Sequence, residues 1–287
     1  SAETGSGKTA AFALPVLQQI EGRTRQAPRT TQALVLVPTR ELAAQVGESF
    51  RALAQPLADP LKLAVLFGGV SINPQMMALR GGADIVVATP GRLLDLVSRN
   101  ALDLAGVACL VLDEADRLLD AGFADELAGV LALLPHRRQN LLFSATFPPA
   151  VVALADGLLH DPLRVEVPRA PRDASAAPKL EERAVEVDAA RRTPLLRHLI
   201  EQGDWTRVLV FVATRYASEH VADKLRRAGI AAAAFHGDAS QGARTQVLAD
   251  FKAGTLRVLV ATDLAARGID IAHLPVVVNH DLPRSAV

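Results

Sequence analysis

The stretch that decides the fold stands at the start of the chain and reads Ala2-Glu3-Thr4-Gly5-Ser6-Gly7-Lys8-Thr9. It has the form of a phosphate-binding loop that runs into a helix. Its glycines carry no Cβ, so the chain can curl and point successive backbone N–H groups at phosphate oxygens. The strict pattern has glycine where this chain has Ala2, and the alternative interpretation is a glycine-rich turn before a helix. The ending Gly-Lys-Thr favours a nucleotide site.

Each position of this loop has a predicted role. Lys8 is expected to reach the outer phosphates as a point charge, and the Thr9 hydroxyl is placed to ligate Mg²⁺. The positive end of the helix that begins near Gly7 adds to the attraction for phosphate. The predicted nucleotide-binding residues are therefore Thr4, Gly5, Ser6, Gly7, Lys8 and Thr9.

A cluster of carboxylates, Asp113-Glu114-Ala115-Asp116, follows an apolar run that ends at Leu112. Doubly wound sheets bind their ligands at the carboxyl ends of the strands. Asp113 is predicted to hold Mg²⁺ through water, and Glu114 to orient or deprotonate an attacking water. The plainer alternative is a set of acidic residues that caps the helix 115–119. Together with the phosphate loop, the cluster predicts metal-dependent cleavage of a nucleoside triphosphate.

Composition sets outer limits on the function. The chain has 287 residues, half of them hydrophobic, and its positive and negative charges balance. Two domains are expected at this length, and any binding to a polyanion must come from locally placed charges. The single cysteine, Cys109, excludes an internal disulfide and is expected to be a buried thiol. We find no apolar stretch that could span a membrane and no signal peptide, so we expect a cytoplasmic protein.

Short β-branched runs alternate with amphipathic stretches, which predicts an α/β protein with doubly wound parallel sheets. The predicted domains are residues 1–167 and 182–287, joined by a Pro- and Ala-rich linker over 168–181. Strands are predicted at 33–37, 62–66, 85–88, 108–112, 140–143, 163–167, 182–187, 207–212, 231–235, 257–261 and 275–279. Helices are predicted at 8–20, 40–54, 73–80, 91–98, 124–134, 149–157, 192–202, 216–228 and 241–252.

Further polar motifs follow predicted strands. Pro38-Thr39-Arg40 and Thr89-Pro90-Gly91-Arg92 each place a hydroxyl, an arginine and free helix-start N–H groups at a strand end, which suits phosphate binding. Gly68-Gly69 would allow close approach of a backbone. Any one of these could be ordinary turn chemistry, but three on one sheet edge favour phosphate contacts. Ser144-Ala145-Thr146 supplies two hydroxyls that are expected to hydrogen-bond Asp116, or otherwise to cap the next helix.

In this order, the motifs resemble those of the DEAD-box RNA helicases of superfamily 2, in a bacterial-type version. The resemblance covers the whole chain, since the second half carries Val210-Phe211-Val212-Ala213-Thr214-Arg215, His236-Gly237-Asp238, Gln241-Gly242-Ala243-Arg244 and Ala261-Thr262-Asp263-Leu264-Ala265-Ala266-Arg267-Gly268-Ile269-Asp270.

The resemblance implies two RecA-like domains, ATP and Mg²⁺ as cofactors, and RNA as a partner that is held by its backbone without regard to sequence. It implies a catalytic set of Lys8, Asp113, Glu114, Ser144 and Thr146, with Gly268 and Asp270 facing the nucleotide. The RNA contacts that it implies are Thr39, Arg40, Gly69, Thr89, Gly91, Arg92, Arg215, Gly237, Arg244, Thr262 and Asp263.

The chain departs from the family pattern at both ends. It begins after the place of the family's upstream Gln motif, without an initiator Met, and ends before the place of the C-terminal H-R-x-G-R-x-G-R motif. We therefore expect a fragment of an ATP-dependent helicase that hydrolyses ATP poorly by itself. The alternatives are an ATP-gated RNA clamp or chaperone without productive unwinding, and a DNA-directed helicase of the same superfamily. Ribonucleoprotein or RNA-decay assemblies are possible partners.

Overall fold

The computed structural model describes residues 7–21, 28–57, 59–120, 122–166, 181–262, 265, 271 and 274–282. The chain divides into two compact units, residues 1–175 and 176–287. Each unit contains one wholly parallel sheet flanked by helices. The predicted α/β fold class, with two doubly wound domains, is therefore confirmed.

The first unit is built on a parallel sheet in the order β2-β3-β1-β4-β5. Its described strands are β1 Ala33–Leu36, β2 Leu63–Leu66, β3 Ile85–Ala88, β4 Cys109–Leu112 and β5 Gln139–Leu142. Its described helices are α1 Lys8–Ile20, α2 Arg40–Ala54, α3 Asn73–Ala78, α4 Pro90–Ser98, α5 Ala115–Asp120, α6 Ala124–Leu133 and α7 Pro149–Leu158.

The central strands of this sheet are buried on both faces. Alternate residues of β1 enter two different cores, with Leu34 and Leu36 in one and Val35 in the other. This is why the sequence shows continuous apolar runs rather than an alternation of apolar and polar residues. Cys109 at the start of β4 is buried as predicted, and burial raises the pKa of its thiol to about 11.

The second unit is also built on a parallel sheet, with the strand order β7-β8-β6-β9. Its described strands are β6 Val208–Val212, β7 Ala232–Phe235, β8 Val258–Thr262 and β9 Val276–Asn279. Its described helices are α8 Arg192–Gln202, α9 Arg215–Arg227 and α10 Gln241–Ala253, with a short 3₁₀ turn at Ala189–Arg191 before α8.

Two predicted strands are wrong. Residues 163–166 of the predicted strand 163–167 form no strand, and Leu163 and Val165 are 90% and 62% exposed. Residues 182–187 likewise form no strand and are almost wholly exposed. Both segments mix apolar and charged residues, but a strand also needs a neighbouring strand, and neither segment joins one of the two sheets of the described residues. Residue 167 and all but the last residue of the predicted linker 168–181 lie outside the described residues.

Candidate active site and nucleic-acid interface

The carboxyl edge of the first sheet collects the motifs that stand far apart in the sequence. Because all five described strands run parallel, the residue that follows each strand lies at the same edge. In the order of the strands across the sheet, this edge carries Gly69, Thr89, Thr39, Asp113 and Ser144. The predicted phosphate-contact and carboxylate motifs of this unit therefore share one edge, as expected for the ligand-binding side of such a sheet.

The phosphate loop is described from Gly7 onward. Gly7 is the N-cap of α1 with φ 81°, a left-handed conformation that glycine adopts without the penalty a Cβ would bring. Lys8 and Thr9 form the first turn of α1 and are half-buried. The remaining predicted loop residues, Thr4, Gly5 and Ser6, lie outside the described residues.

Asp113 is the most deeply buried acid of the site, with 3% of its surface exposed. Burial raises the pKa of its carboxyl to about 6, and the neighbouring negative charge of Glu114 adds to the rise. The positive charge of Lys8 and a hydrogen bond from the Glu114 backbone N–H, at 3.0 Å, act in the opposite direction. The structure thus brings Lys8 within electrostatic reach of Asp113, although about a hundred residues separate them in the sequence.

Glu114 has an unusual backbone. Its φ is 52°, in the left-handed region that non-glycine residues rarely adopt. Burial raises the pKa of its carboxyl, while the positive charges of Arg117 and Lys8 lower it. Arg117 Nη1 lies 3.1 Å from Glu114 Oε2, which fixes the carboxylate beside Asp113. Arg117 is not among the residues predicted from the sequence, although its i,i+3 spacing from an acid was a usable signal.

Asp116 forms the hydrogen bonds that were predicted for it. Thr146 donates to Asp116 Oδ2 from its hydroxyl at 2.6 Å and from its backbone N–H at 3.0 Å. Ser144 Oγ accepts from the Asp116 backbone N–H at 3.3 Å and donates to the Thr146 carbonyl at 2.6 Å. Burial acts to raise the pKa of Asp116, but these hydrogen bonds outweigh it and lower the pKa. The carboxyl ends of β4 and β5 are therefore linked by one hydrogen-bonded cluster.

Arg40 and Gly69 approach each other closely at the ends of β1 and β2. Gly69 has φ 77°, and a Cβ on it would lie only 2.7 Å from Arg40 Nη1. A side chain at this position would therefore displace the guanidinium. The Thr39 hydroxyl accepts a hydrogen bond from Leu42 N at 3.2 Å and so serves as the N-cap of α2.

Arg92 is buried, with 8% of its surface exposed, in the first turn of α4. Its Nη2 donates to the Val70 carbonyl at 2.7 Å, but Nη1 has no hydrogen-bond partner among the residues that the structure describes. A buried guanidinium donor without an acceptor is costly unless a ligand supplies one. Thr89, the N-cap of this helix, does not cap it through its hydroxyl, and a Cβ on Gly91 would meet no atom within 4 Å.

The second unit gathers its predicted residues at the carboxyl edge of its own sheet. Arg215 begins α9 after β6, Gly237 follows β7, and Thr262 ends β8. Arg215 forms an ion pair with Asp238 at this edge. The predicted residues Asp263, Gly268 and Asp270 lie outside the described residues.

Arg244 occupies a different environment from Arg215. It is only 4% exposed, and its guanidinium lies 4.7 Å from the centroid of the Phe235 ring. Its Nη2 is 3.5 Å from the Ala265 carbonyl. Arg244 therefore packs inside the second unit in this structure, and its contact with RNA stays a prediction.

The comparisons with known proteins agree with the motifs. Residues 1–154 match the family model of the DEAD/DEAH box helicases, and residues 191–287 match that of the helicase conserved C-terminal domain. The chain belongs to the DEAD-box helicase family. The resemblance to DEAD-box proteins that the motifs indicated is confirmed.

Among curated proteins, the chain is 43% identical over 282 residues to the ATP-dependent RNA helicase DeaD of Mycobacterium tuberculosis, and it covers 48% of that protein. It is 44% identical over 281 residues to the ATP-dependent RNA helicase DbpA of Escherichia coli, and covers 60% of it. Both alignments cover 98% of this chain. The chain thus spans about half the length of the curated relatives it matches.

Among solved structures, the chain is similar to S. cerevisiae Dbp5 bound to RNA and ADP BeF3, with a TM-score of 0.77 and 31% identity over 100% of this chain and 70% of that one. It is also similar to a DEAD box protein from the hyperthermophile Methanococcus jannaschii, with a TM-score of 0.53 and 38% identity over 99% of this chain and 74% of that one. Within the described part of the chain, no helix combines the length and apolarity needed to cross a bilayer.

Proposed function

We propose that this chain is the core of an ATP-dependent RNA helicase. It clamps the RNA backbone and couples ATP binding and hydrolysis to local duplex unwinding or to remodelling of ribonucleoproteins. One observation carries the proposal: the Lys8 charge acts on the buried pair Asp113 and Glu114 at the edge that also bears Arg40 and Arg92. ATP-cleaving chemistry and phosphate-backbone binding thus share one sheet edge.

The residues fit a magnesium nucleotide. Burial raises the pKa of both carboxyls, Asp113 and Glu114, because it disfavours their charged forms, and a bound cation would offset this cost. The Thr9 hydroxyl and Asp113 would hold Mg²⁺, and Gly7 and Lys8 would hold the phosphates. Mg²⁺ bound with ATP would neutralise charge that develops on the phosphate oxygens.

Glu114 is the residue that we assign as the general base. Its carboxylate is buried and beside Asp113, and Arg117 restrains it through an ion pair. In this role it accepts a proton from the attacking water and holds that water in line with the bond that breaks. Asp116 lies two residues further on and is hydrogen-bonded to Ser144 and Thr146, which connects the segment that carries Glu114 to the end of β5.

The RNA-binding groups of the first unit suit a sugar-phosphate backbone. Arg92 Nη1 is a buried donor without a partner among the described residues, and a phosphate oxygen would satisfy it. Arg40 lies over Gly69 at the same edge. Contacts of this kind are made to phosphates and sugars and do not discriminate between base sequences.

The test is a linkage experiment on the chain with a single-stranded RNA and a non-hydrolysable ATP analogue. If both ligands act on one conformational equilibrium, the analogue strengthens RNA binding by the factor by which RNA strengthens binding of the analogue. Lys8→Ala should weaken binding of the analogue and abolish its effect on RNA, whereas Lys252→Ala, at an exposed position of α10, should change neither. Independence of the two affinities would contradict the proposal.

Arg92→Ala tests the backbone contact in the same assay. It should weaken binding to every RNA sequence alike. The slope of log affinity against log salt concentration should become shallower by about one. Arg99→Ala, at the exposed end of the same helix, is the matched control. A loss confined to particular sequences would contradict backbone recognition. Strand separation of a short duplex with ATP then distinguishes a helicase from an RNA clamp that binds without unwinding.

A further inference from the structure

The second unit displays an aromatic side chain at the edge where its phosphate-contact residues lie. Tyr216 is 72% exposed in the first turn of α9, directly after Arg215. It is the only tyrosine in the chain. Single exposed apolar residues are common on protein surfaces, so exposure by itself indicates nothing.

The ring of Tyr216 is held in a defined orientation. It stacks on the ring of His220, one helical turn further along, with the centroids 5.7 Å apart and the planes within 12° of parallel. Both residues are exposed and share one face of α9. The stacked pair of exposed rings is a small aromatic surface, which we call the α9 platform.

The neighbours of the α9 platform are groups suited to an RNA backbone. Arg215 precedes Tyr216 and pairs with Asp238, next to Gly237 at the end of β7. An RNA strand whose phosphate exchanges for the exposed Asp238 carboxylate on Arg215 would bring its sugar and base beside the adjacent residue. Aromatic rings bind nucleobases by stacking, regardless of which base is present.

We propose that the α9 platform stacks one nucleobase of the bound RNA, in addition to the backbone contacts. The proposal rests on the proposed RNA-binding function and adds a subsite to it. It makes the second unit sensitive to the presence of a base but not to its identity. Tyr216 provides the stacking face, and His220 supports the ring from the adjacent turn.

The experiment compares two single-stranded ligands of equal length and charge, an RNA oligomer and an abasic oligomer with the same backbone, with a non-hydrolysable ATP analogue present. The chain should bind the base-bearing oligomer roughly fivefold more tightly or better. Tyr216→Leu should abolish this preference, and Tyr216→Phe, which keeps the ring, should retain it. The salt dependence should stay the same in all three proteins, because no phosphate contact changes.

A second readout reports on the ring itself. Because the chain has one tyrosine, 3-fluorotyrosine labelling yields one ¹⁹F resonance from Tyr216. The resonance should shift with the base-bearing oligomer and much less with the abasic one. Retention of the base preference in Tyr216→Leu, or equal shifts with both ligands, would overturn the α9 platform while leaving RNA binding intact. Absence of binding to either oligomer would instead overturn the proposed function, and the platform with it.

Discussion

The carboxyl edges of the two sheets both carry polar residues, but the residues singled out at each edge differ in exposure. In the first unit, Asp113, Glu114 and Arg92 are all less than a tenth exposed. In the second unit, Arg215 and Tyr216 are exposed at the edge. Chemistry on a phosphate benefits from groups that are fixed and shielded from water, because electrostatic interactions are stronger there. Binding to a long polyanion requires groups that the polymer can reach.

The largest expected effect tests whether the first edge is the catalytic one. Glu114→Gln removes the base but keeps the size and shape of the side chain, so RNA-stimulated ATP hydrolysis should fall by about 10²-fold or more while ATP still binds. Asp120→Asn, at the exposed end of the same short helix, should leave turnover unchanged. Hydrolysis is measured for the unmodified chain and for both variants, with ATP, Mg²⁺ and RNA present. Near-normal turnover in Glu114→Gln would contradict the assignment.

The next effect concerns the stability cost of burying Asp113. The pKa of Asp113 is about 6 in the folded unit against 3.8 ordinarily. Between about pH 4 and pH 6 the folded state therefore binds more protons than the unfolded state, and the free energy of unfolding falls as the pH rises through this range. Asp113→Asn removes the titration and should raise the stability of the first unit near pH 7 by up to about 3 kcal/mol.

Hydrogen exchange of the β4 amides, without Mg²⁺ or nucleotide, measures this local stability. Asp120→Asn is again the exposed control. The variant should also show a smaller fall in stability between about pH 4 and 6, because Asp113 no longer contributes to it while the raised pKa of Glu114 still does. A destabilised Asp113→Asn, or an unchanged pH dependence, would show that burial of this carboxylate carries no such cost.

The smallest effect contrasts two arginines of the second unit. Arg244→Ala removes a buried cation from the Phe235 ring and should destabilise this unit by about 1–2 kcal/mol. Arg215→Ala, at an exposed ion pair, should change stability by less than about 0.5 kcal/mol. Denaturation followed by the fluorescence of Trp205, the only tryptophan of the chain and a residue of this unit, compares the two. Equal stabilities would mean that the cation–π contact contributes little.

Local patterns determined much of the fold. Helices α1, α2 and α8 begin and end at the predicted residues, since their apolar spacing and N-terminal signals are contained in the segment itself. Strand β5 lies one residue earlier than predicted, and the segments 163–166 and 182–187 are not strands. Pairing depends on a neighbouring strand, which a local pattern does not contain.

The sequence by itself determined the family, the two-domain α/β class and the residue types of the site, because the phosphate loop and the Asp-Glu-Ala-Asp motif are short and chemically specific. The tertiary structure alone decided how those residues are used. It buries Asp113, gives Glu114 a left-handed backbone beside Arg117, and turns Arg244 onto Phe235 while leaving Tyr216 exposed. Burial, dielectric environment and partner choice arise from segments that are distant in the chain and meet only in the folded sheets.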